Sequence, residues 1–334
     1  MAITTRPADI SDLGAIADLL LTDAKARCAL DPGLWSLVRD PATAIASAVR
    51  ASMDAEAPPF RQQWLVAQAG QAIVGVTHSI LLPVPPIYAG AFGPPGLIME
   101  DCHVATGAPP ETRRRLLKAA EDDLVKAGAR VLLASSVEGG EWAPEYARQG
   151  FAPLTMYFAK AGLCQARPRA DVRPATPDDV PGLVASSAIN REILERLAPR
   201  FWQPHDAADD RFAVWMRRSL TLTDRDMFVS DVGGKIQGYA ISQPATRFHF
   251  PAAHDISDVG VIDDFFHDQM RNPQSLEAEG SGAAALFNAA EAARDSRGDN
   301  AILVVCPAAW TSKRTLLAQS GYSNAITWFI KMAG

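Results

Sequence analysis

Two pairs of adjacent carboxylates stand inside otherwise apolar runs. Glu100-Asp101 lies within Met99-Glu100-Asp101-Cys102-His103-Val104, and Asp263-Asp264 within Ile262-Asp263-Asp264-Phe265-Phe266-His267. Neighbours on a strand point to opposite faces, so one carboxylate of each pair can face a ligand while the other anchors a loop. A carboxylate in that position takes a proton, directly or through water, and holds a cation. The alternative is a structural acidic pair. Further on, Gly280-Ser281-Gly282 opens a helix-patterned run. It is either a plain flexible cap or a place where free backbone N–H groups face an anion. A third cluster joins Phe201-Trp202-Gln203-Pro204-His205-Asp206 with Arg247-Phe248-His249-Phe250-Pro251 and His254-Asp255. Aromatic rings interleaved with histidines and acids suit either the wall of a cation pocket or core packing. The histidine spacing fits a metal site only loosely, and no metal is expected.

The elements that position these residues come twice. Arg6-Pro7-Ala8 recurs 167 residues on as Arg173-Pro174-Ala175, and the same offset maps Pro32 onto Pro199 and Trp35 onto Trp202. Val66, Gly70 and Gly75 match Val229, Gly233 and Gly238 at offset 163, while Gly150-Phe151 and Lys160 match Gly321-Tyr322 and Lys331 at offset 171. Such a drift is what loop insertions and deletions leave, so the chain reads as a duplication. With 334 residues, two domains are expected, 1–165 and 166–334, joined near 161–170.

Each half runs in one order. A short strand ends at the Arg-Pro, and an amphipathic helix follows with Leu13, Ile16, Ala17 and Leu20, or Val180, Leu183 and Val184, on its apolar face. Thr176-Pro177-Asp178-Asp179 supplies an N-cap, a proline at the first helical position and an acid at the third. A second helical region is expected to contain Trp35 or Trp202. Next come a hairpin (64–68 with 73–80, 227–231 with 236–242) and a fourth strand over 97–104 or 259–267. A helix with Leu116, Leu117, Ala120 and Leu124 inward, or Leu286, Phe287, Ala290 and Ala293, leads to a strand at 131–134 or 302–305. A last helix and a final strand complete each half.

Composition narrows the setting. Hydrophobic residues make up 48%, too many for a disordered chain, and the net charge of −6 lacks the basic surface that nucleic-acid binding needs. Cys28, Cys102, Cys164 and Cys306 are too scattered for a disulfide framework or a zinc site. Residues 74–99 carry no Asp, Glu, Lys or Arg, but Pro83, Pro85, Pro86, Pro94 and Pro95 stop any spanning helix there. The first residues lack the apolar run of a signal peptide, and a cytoplasmic protein with no membrane or nucleic-acid partner is expected.

This element order resembles the GNAT acetyltransferase superfamily, once per half. The resemblance rests on Leu-Leu-Lys-Ala-Ala-Glu or Leu-Phe-Asn-Ala-Ala-Glu after the fourth strand and on a terminal Gly-Phe or Gly-Tyr strand. It implies an α/β (α+β) fold of two tandem domains. Each would be a mixed, mostly antiparallel sheet flanked by helices and splayed between its fourth and fifth strands, with acetyl-coenzyme A in the gap. It also implies direct acetyl transfer to an amine.

The carboxylate segments look like the Leu-Glu-Asp-Phe-Phe-Val stretch of polyamine acetyltransferases, which makes Asp263 the base candidate in the second half, beside Asp264, and Glu100 in the first. Phe265, Phe266 and His267 would lie along the coenzyme, with Gly280, Ser281, Gly282, Ala283 and Ala284 cradling its pyrophosphate, although Glu277 stands where the family has Gln or Arg. Gly107–Arg113 of the first half has no glycine at the helix start and two prolines, so that half is expected to bind coenzyme A poorly or not at all. The family's tyrosine that protonates the leaving thiolate matches Tyr146; Leu317 takes its place in the second half. Trp202, His205 and His249 are the substrate-pocket candidates. The expected activity is N-acetylation of a small amine in the second half. The alternatives are the same chemistry in the first half, around Glu100 and Tyr146, and a coenzyme A-responsive binding protein without turnover. A monomer with an internal pseudo-dimer is expected.

Overall fold

In the computed structural model, which describes residues 2–163 and 169–334, the two halves repeat the same elements. The first comprises β1 (Ile3–Pro7), α1 (Leu13–Leu30), α2 (Pro41–Asp54), β2 (Gln62–Ala69), β3 (Ala72–Leu81), β4 (Gly96–Ile98), β5 (His103–Val104), α3 (Thr112–Lys126), β6 (Val131–Val137), α4 (Trp142–Arg148) and β7 (Ala152–Ala161). The second comprises β8 (Val172–Pro174), α5 (Val180–Leu197), α6 (Ala208–Ser219), β9 (Asp226–Val232), β10 (Lys235–Pro244), β11 (Val259–His267), α7 (Ser281–Ser296), β12 (Ala301–Pro307), α8 (Thr311–Gln319) and β13 (Ser323–Met332). Among the described residues, no helix is long and apolar enough to cross a membrane. Cys164 and part of the expected linker lie outside them.

The repeated Arg-Pro has a local cause. The Arg6 guanidinium grips Asp12 with bonds of 2.6 and 2.8 Å, and Arg173 grips Asp179 at 2.7 and 2.8 Å. Each pair ties the end of the first strand to the one-turn 3-10 helix that starts α1 or α5. Asp179 also accepts from the Thr176 N–H and hydroxyl, and the Arg173 bonds hold its carboxyl down to about 2. Trp35 and Trp202 sit in the turns before α2 and α6 rather than in a helix. Both turns follow an extended residue, Asp31 or Ala198, that ends α1 or α5, and both tryptophans pack into one core cluster.

The halves do not keep their sheets apart. A single sheet runs β1-β2-β3-β4-β6-β13-β7-β12-β11-β10-β9-β8, with β5 on β3. The last strands are exchanged: β13 pairs antiparallel with β6, β7 pairs antiparallel with β12, and β7 and β13 pair with each other. Lys160 on β7 reaches Glu291 on α7 at 2.6 Å, and Lys331 on β13 reaches Glu121 on α3 at 2.9 Å. The lysines matched in the repeat therefore make a matched pair of cross-half ion pairs. β13 also carries Ile326, Trp328 and Phe329 into the core, each worth roughly 1.5–3 kcal/mol when buried.

The fourth and fifth strands of each half are parallel and then part. β4 pairs with β6 only over Gly96–Ile98, and β11 with β12 only from Val259 to Ile262. The continuous strand expected over 97–104 is broken, because Thr77 and His78 on β3 face four residues, 99–102. The extra residues loop out, with the Glu100 carbonyl accepting from Arg27 and the Cys102 carbonyl from Trp142 Nε1 at 3.1 Å. Beyond the sheet, Leu37 bridges to His254 and Tyr88 to Pro204, the same contact made twice with the halves' roles reversed.

Candidate functional site

Asp263 owes its position to a bulge. Ile241 pairs with Asp264 and Ser242 with Ile262, so Asp263 is the extra residue on β11, just past its last pair with β12. The simple alternation expected for the acidic pair is thereby broken, but the two carboxylates still have unlike surroundings. That of Asp264 accepts from the Tyr239 hydroxyl at 2.9 Å and from Asn190 Nδ2 at 3.1 Å. Burial pushes its carboxyl up to about 6. Asp263 opens into a cavity of about 290 Å³ and accepts from Gln243 Nε2 at 3.4 Å. Water reaches its oxygens, yet protein surrounds the site closely, and that desolvation raises its carboxyl too.

Both halves build the cavity. Tyr88 and Phe92 come from the connection after β3, Trp202 from the turn before α6, and Phe248 and His249 from the connection after β10. The exchanged strands supply Tyr157 and Trp328, whose rings lie 5.5 Å apart. His249 packs 4.3 Å from Tyr157, and burial pushes its imidazole down to about 3, so it is neutral. Two of the three pocket candidates, Trp202 and His249, thus line the same cavity as Asp263. His205 does not: its Nδ1 accepts from the Ala207 N–H at 2.9 Å and shapes the start of α6.

The Gly-x-Gly sits where a left-handed turn feeds α7. Ala278, Glu279 and Gly280 have φ of 46°, 54° and 69°, and left-handed backbone costs the two non-glycine residues roughly 1–2 kcal/mol each. The Gly282 and Ala283 N–H groups both donate to Gln269 Oε1, at 2.9 and 3.0 Å. His267 lies against them. Its Nδ1 accepts from the Gln269 N–H at 3.1 Å, which assigns the ring proton to Nε2. That Nε2 is buried and without a partner, and a Cβ at position 282 would come within 2.9 Å of it. An anion replacing the Gln269 oxygen would meet two amides and an imidazole N–H. Glu277 and Glu279 oppose it by charge. Of the other residues singled out, Phe265 and Phe266 are core side chains, the Ser281 carbonyl accepts from Arg169 at 3.1 Å, and Ala284 packs against the core.

Lys313 was not among the residues that sequence reasoning selected. It lies at the start of α8, with 5% of its surface exposed, and its Nζ donates to the Phe265 carbonyl at 2.9 Å, where β11 and β12 part. The ammonium sits 5.4 and 5.7 Å from the ring centres of Phe265 and Trp310, and burial lowers its pKa. Trp310 Nε1 donates to the Met270 carbonyl at 3.1 Å, and the Ser312 hydroxyl to the Asn272 carbonyl at 2.8 Å. The first turn of α8 therefore stitches across the gap. One signal was legible: the offset of 171 puts Lys313 opposite Trp142, a cation in the place of a core tryptophan. In the first half, Glu100 and Tyr146 meet around Ser135. Its hydroxyl donates to Glu100 at 2.5 Å, and its carbonyl accepts from the Tyr146 hydroxyl at 3.2 Å. Both are shut away from solvent, at 4% and 0% exposure.

A scan against protein-family models finds no match, and no curated protein matches the sequence. Solved structures do match. The chain is similar to a tandem GNAT protein from the clavulanic acid biosynthesis pathway, at 15% identity over 100% of this chain and 99% of that one, with a TM-score of 0.51. It is also similar to a GCN5-related N-acetyltransferase from Sphaerobacter thermophilus, at 14% identity over 99% and 95% of the two chains, with a TM-score of 0.55. At these identities the likeness speaks for architecture, which the repeated element order and the parting strands carry independently. The fold of this chain is the GNAT acetyltransferase fold, in its tandem form.

Proposed function

We propose that the chain transfers an acetyl group from acetyl-coenzyme A to a small amine, with the chemistry in the second half. The observation that carries this reading is Asp263, bulged out of β11 where the strands part and open to the cavity between the halves. Acetyl-coenzyme A would supply a thioester-activated acetyl group whose C–S bond breaks as the C–N bond forms, the sulfur being able to leave as a thiolate. The α7 N-terminus suits its pyrophosphate: the Gly282 and Ala283 amides, the unpartnered His267 Nε2 and the glycine that makes room for them are the groups to hold it. Asp263 holds the ammonium form of the acceptor and takes its proton at a carboxylate oxygen, leaving the amine lone pair free. The aromatic walls flank the acceptor. Lys313 keeps a cation beside the Phe265 carbonyl, where negative charge is best tolerated.

Asp263→Asn tests the assignment. The rate of coenzyme A release with an accepted amine should fall about 10²–10⁴-fold, with acetyl-coenzyme A binding retained. A variant as fast as the native chain would remove Asp263 from the role of base.

A second reading, ligand binding without turnover, is favoured by the stitches from Lys313 and Trp310 across the gap and by Leu317 in the tyrosine's place. Under it, acetyl-coenzyme A raises the melting temperature while no amine in a broad panel is acetylated.

A further inference from the structure

The cavity discriminates among amines by what lines it: one carboxylate, and walls that are mostly aromatic and aliphatic, with Thr155, Gln203 and His249 as the polar exceptions. Asp263 is the one carboxylate that lines it among the described residues. The other charged lining residue, Arg200, is exposed and of the wrong sign for a second ammonium. Tyr88, Trp202, Phe248 and Trp328 line the space together with prolines of the connection after β3. At about 290 Å³ it lies at the small end of ligand pockets, which run to roughly 1,000 Å³.

We infer that the ligand of this cavity is a compact aromatic primary monoamine, its ammonium on Asp263 and its ring among the aromatic side chains. The inference rests on the acceptor site proposed above. An ammonium beside a carboxylate and between aromatic faces is held by ion pairing and cation–π attraction together. A ring of matching flatness gains offset or edge contacts with the walls. A polyamine would place its further ammonium groups where the lining offers aromatic faces but no second carboxylate, and an amino sugar would bring more hydroxyls than the few polar lining groups, Thr155, Gln203 and His249, can pair. Each unsatisfied polar group costs about a factor of five or more in affinity. The walls come from both halves and from both exchanged strands, so the selectivity belongs to the intact chain.

The test is binding to the full chain without acetyl-coenzyme A, which separates it from whether transfer occurs. Calorimetry with 2-phenylethylamine, spermidine and glucosamine as probes should rank 2-phenylethylamine at least tenfold tighter than either of the others. Asp263→Asn should weaken 2-phenylethylamine at least tenfold while leaving the weak binding of uncharged 2-phenylethanol unchanged. Phe248→Leu, which keeps bulk but removes a ring, should weaken both aromatic probes. Equal or tighter binding of spermidine or glucosamine overturns the inference, and so does an unchanged affinity in Asp263→Asn. Acetylation of spermidine without binding of 2-phenylethylamine would also overturn it, while leaving acetyl transfer standing.

Discussion

Glu100 and Asp263 occupy matched places in the repeat but have opposite surroundings. Asp263 faces a cavity, whereas Glu100 is sealed, with the Ser135 hydroxyl as its side-chain donor. Burial pushes the Glu100 carboxyl from 4.5 up to about 7. A carboxyl raised on folding binds its proton more tightly in the folded state, so its contribution is fully present below the unfolded value and is lost as pH rises through the folded one. The window is therefore about pH 4.5 to 7. Glu100→Gln, which keeps an acceptor for Ser135, should be more stable than the native chain at pH 8 by up to roughly 3 kcal/mol. The difference should vanish toward pH 4.5. Urea denaturation across that range checks it, and a difference independent of pH would mean that the carboxyl is ionised throughout.

Between elements, two ion pairs, each joining a partly exposed lysine to a buried glutamate, tie the exchanged β7 and β13 to the other half. Lys160 is one-fifth exposed and Glu291 is 3% exposed, and Glu291 also accepts from the Tyr322 hydroxyl at 2.8 Å. Removing the lysine alone leaves a buried carboxylate short of its partner, a change that costs roughly 3–5 kcal/mol in a dry site. Lys160→Met should fall at the low end of that range because of the exposed lysine and the remaining tyrosine bond. Replacing both partners, as in Lys160→Met with Glu291→Leu, should recover most of the loss. A double-mutant cycle by urea denaturation measures this, and additive losses would show that the two side chains do not communicate.

At the scale of the molecule, the exchange makes each half's fold depend on the other. Without β7, the edge of β12 is unpaired, and without β13 so is that of β6. Open edges of that kind template aggregation rather than stable folding. The full chain should therefore unfold in a single transition seen alike by calorimetry, circular dichroism and tryptophan fluorescence. A fragment of residues 169–334 made alone should be unfolded or aggregated, and folding should return on co-expression with residues 1–163. Two separated transitions, or a cooperatively folded lone fragment, would show that each half stands by itself.

What the sequence determined by itself was local. The Arg-Pro and its acid six residues on, the proline-capped helix starts, the glycine turns of the hairpins and the apolar helix faces all act within a few residues, so their spacing sufficed to place two copies of one fold. The acidic pair at 263–264 was legible for the same reason. Partner choice was not. β7 and β13 carry matched sequences, and strand pattern alone leaves open which neighbour a strand joins; that was decided by contacts more than a hundred residues apart, such as Lys160 with Glu291. The one-residue bulge that turns Asp263 into the cavity depends on the register of β10 against β11. Lys313 became visible only when α8 was laid across the parting strands. The cavity itself exists because turns and connections from opposite halves close over the exchanged strands, so only the tertiary structure joined the carboxylate to its aromatic walls.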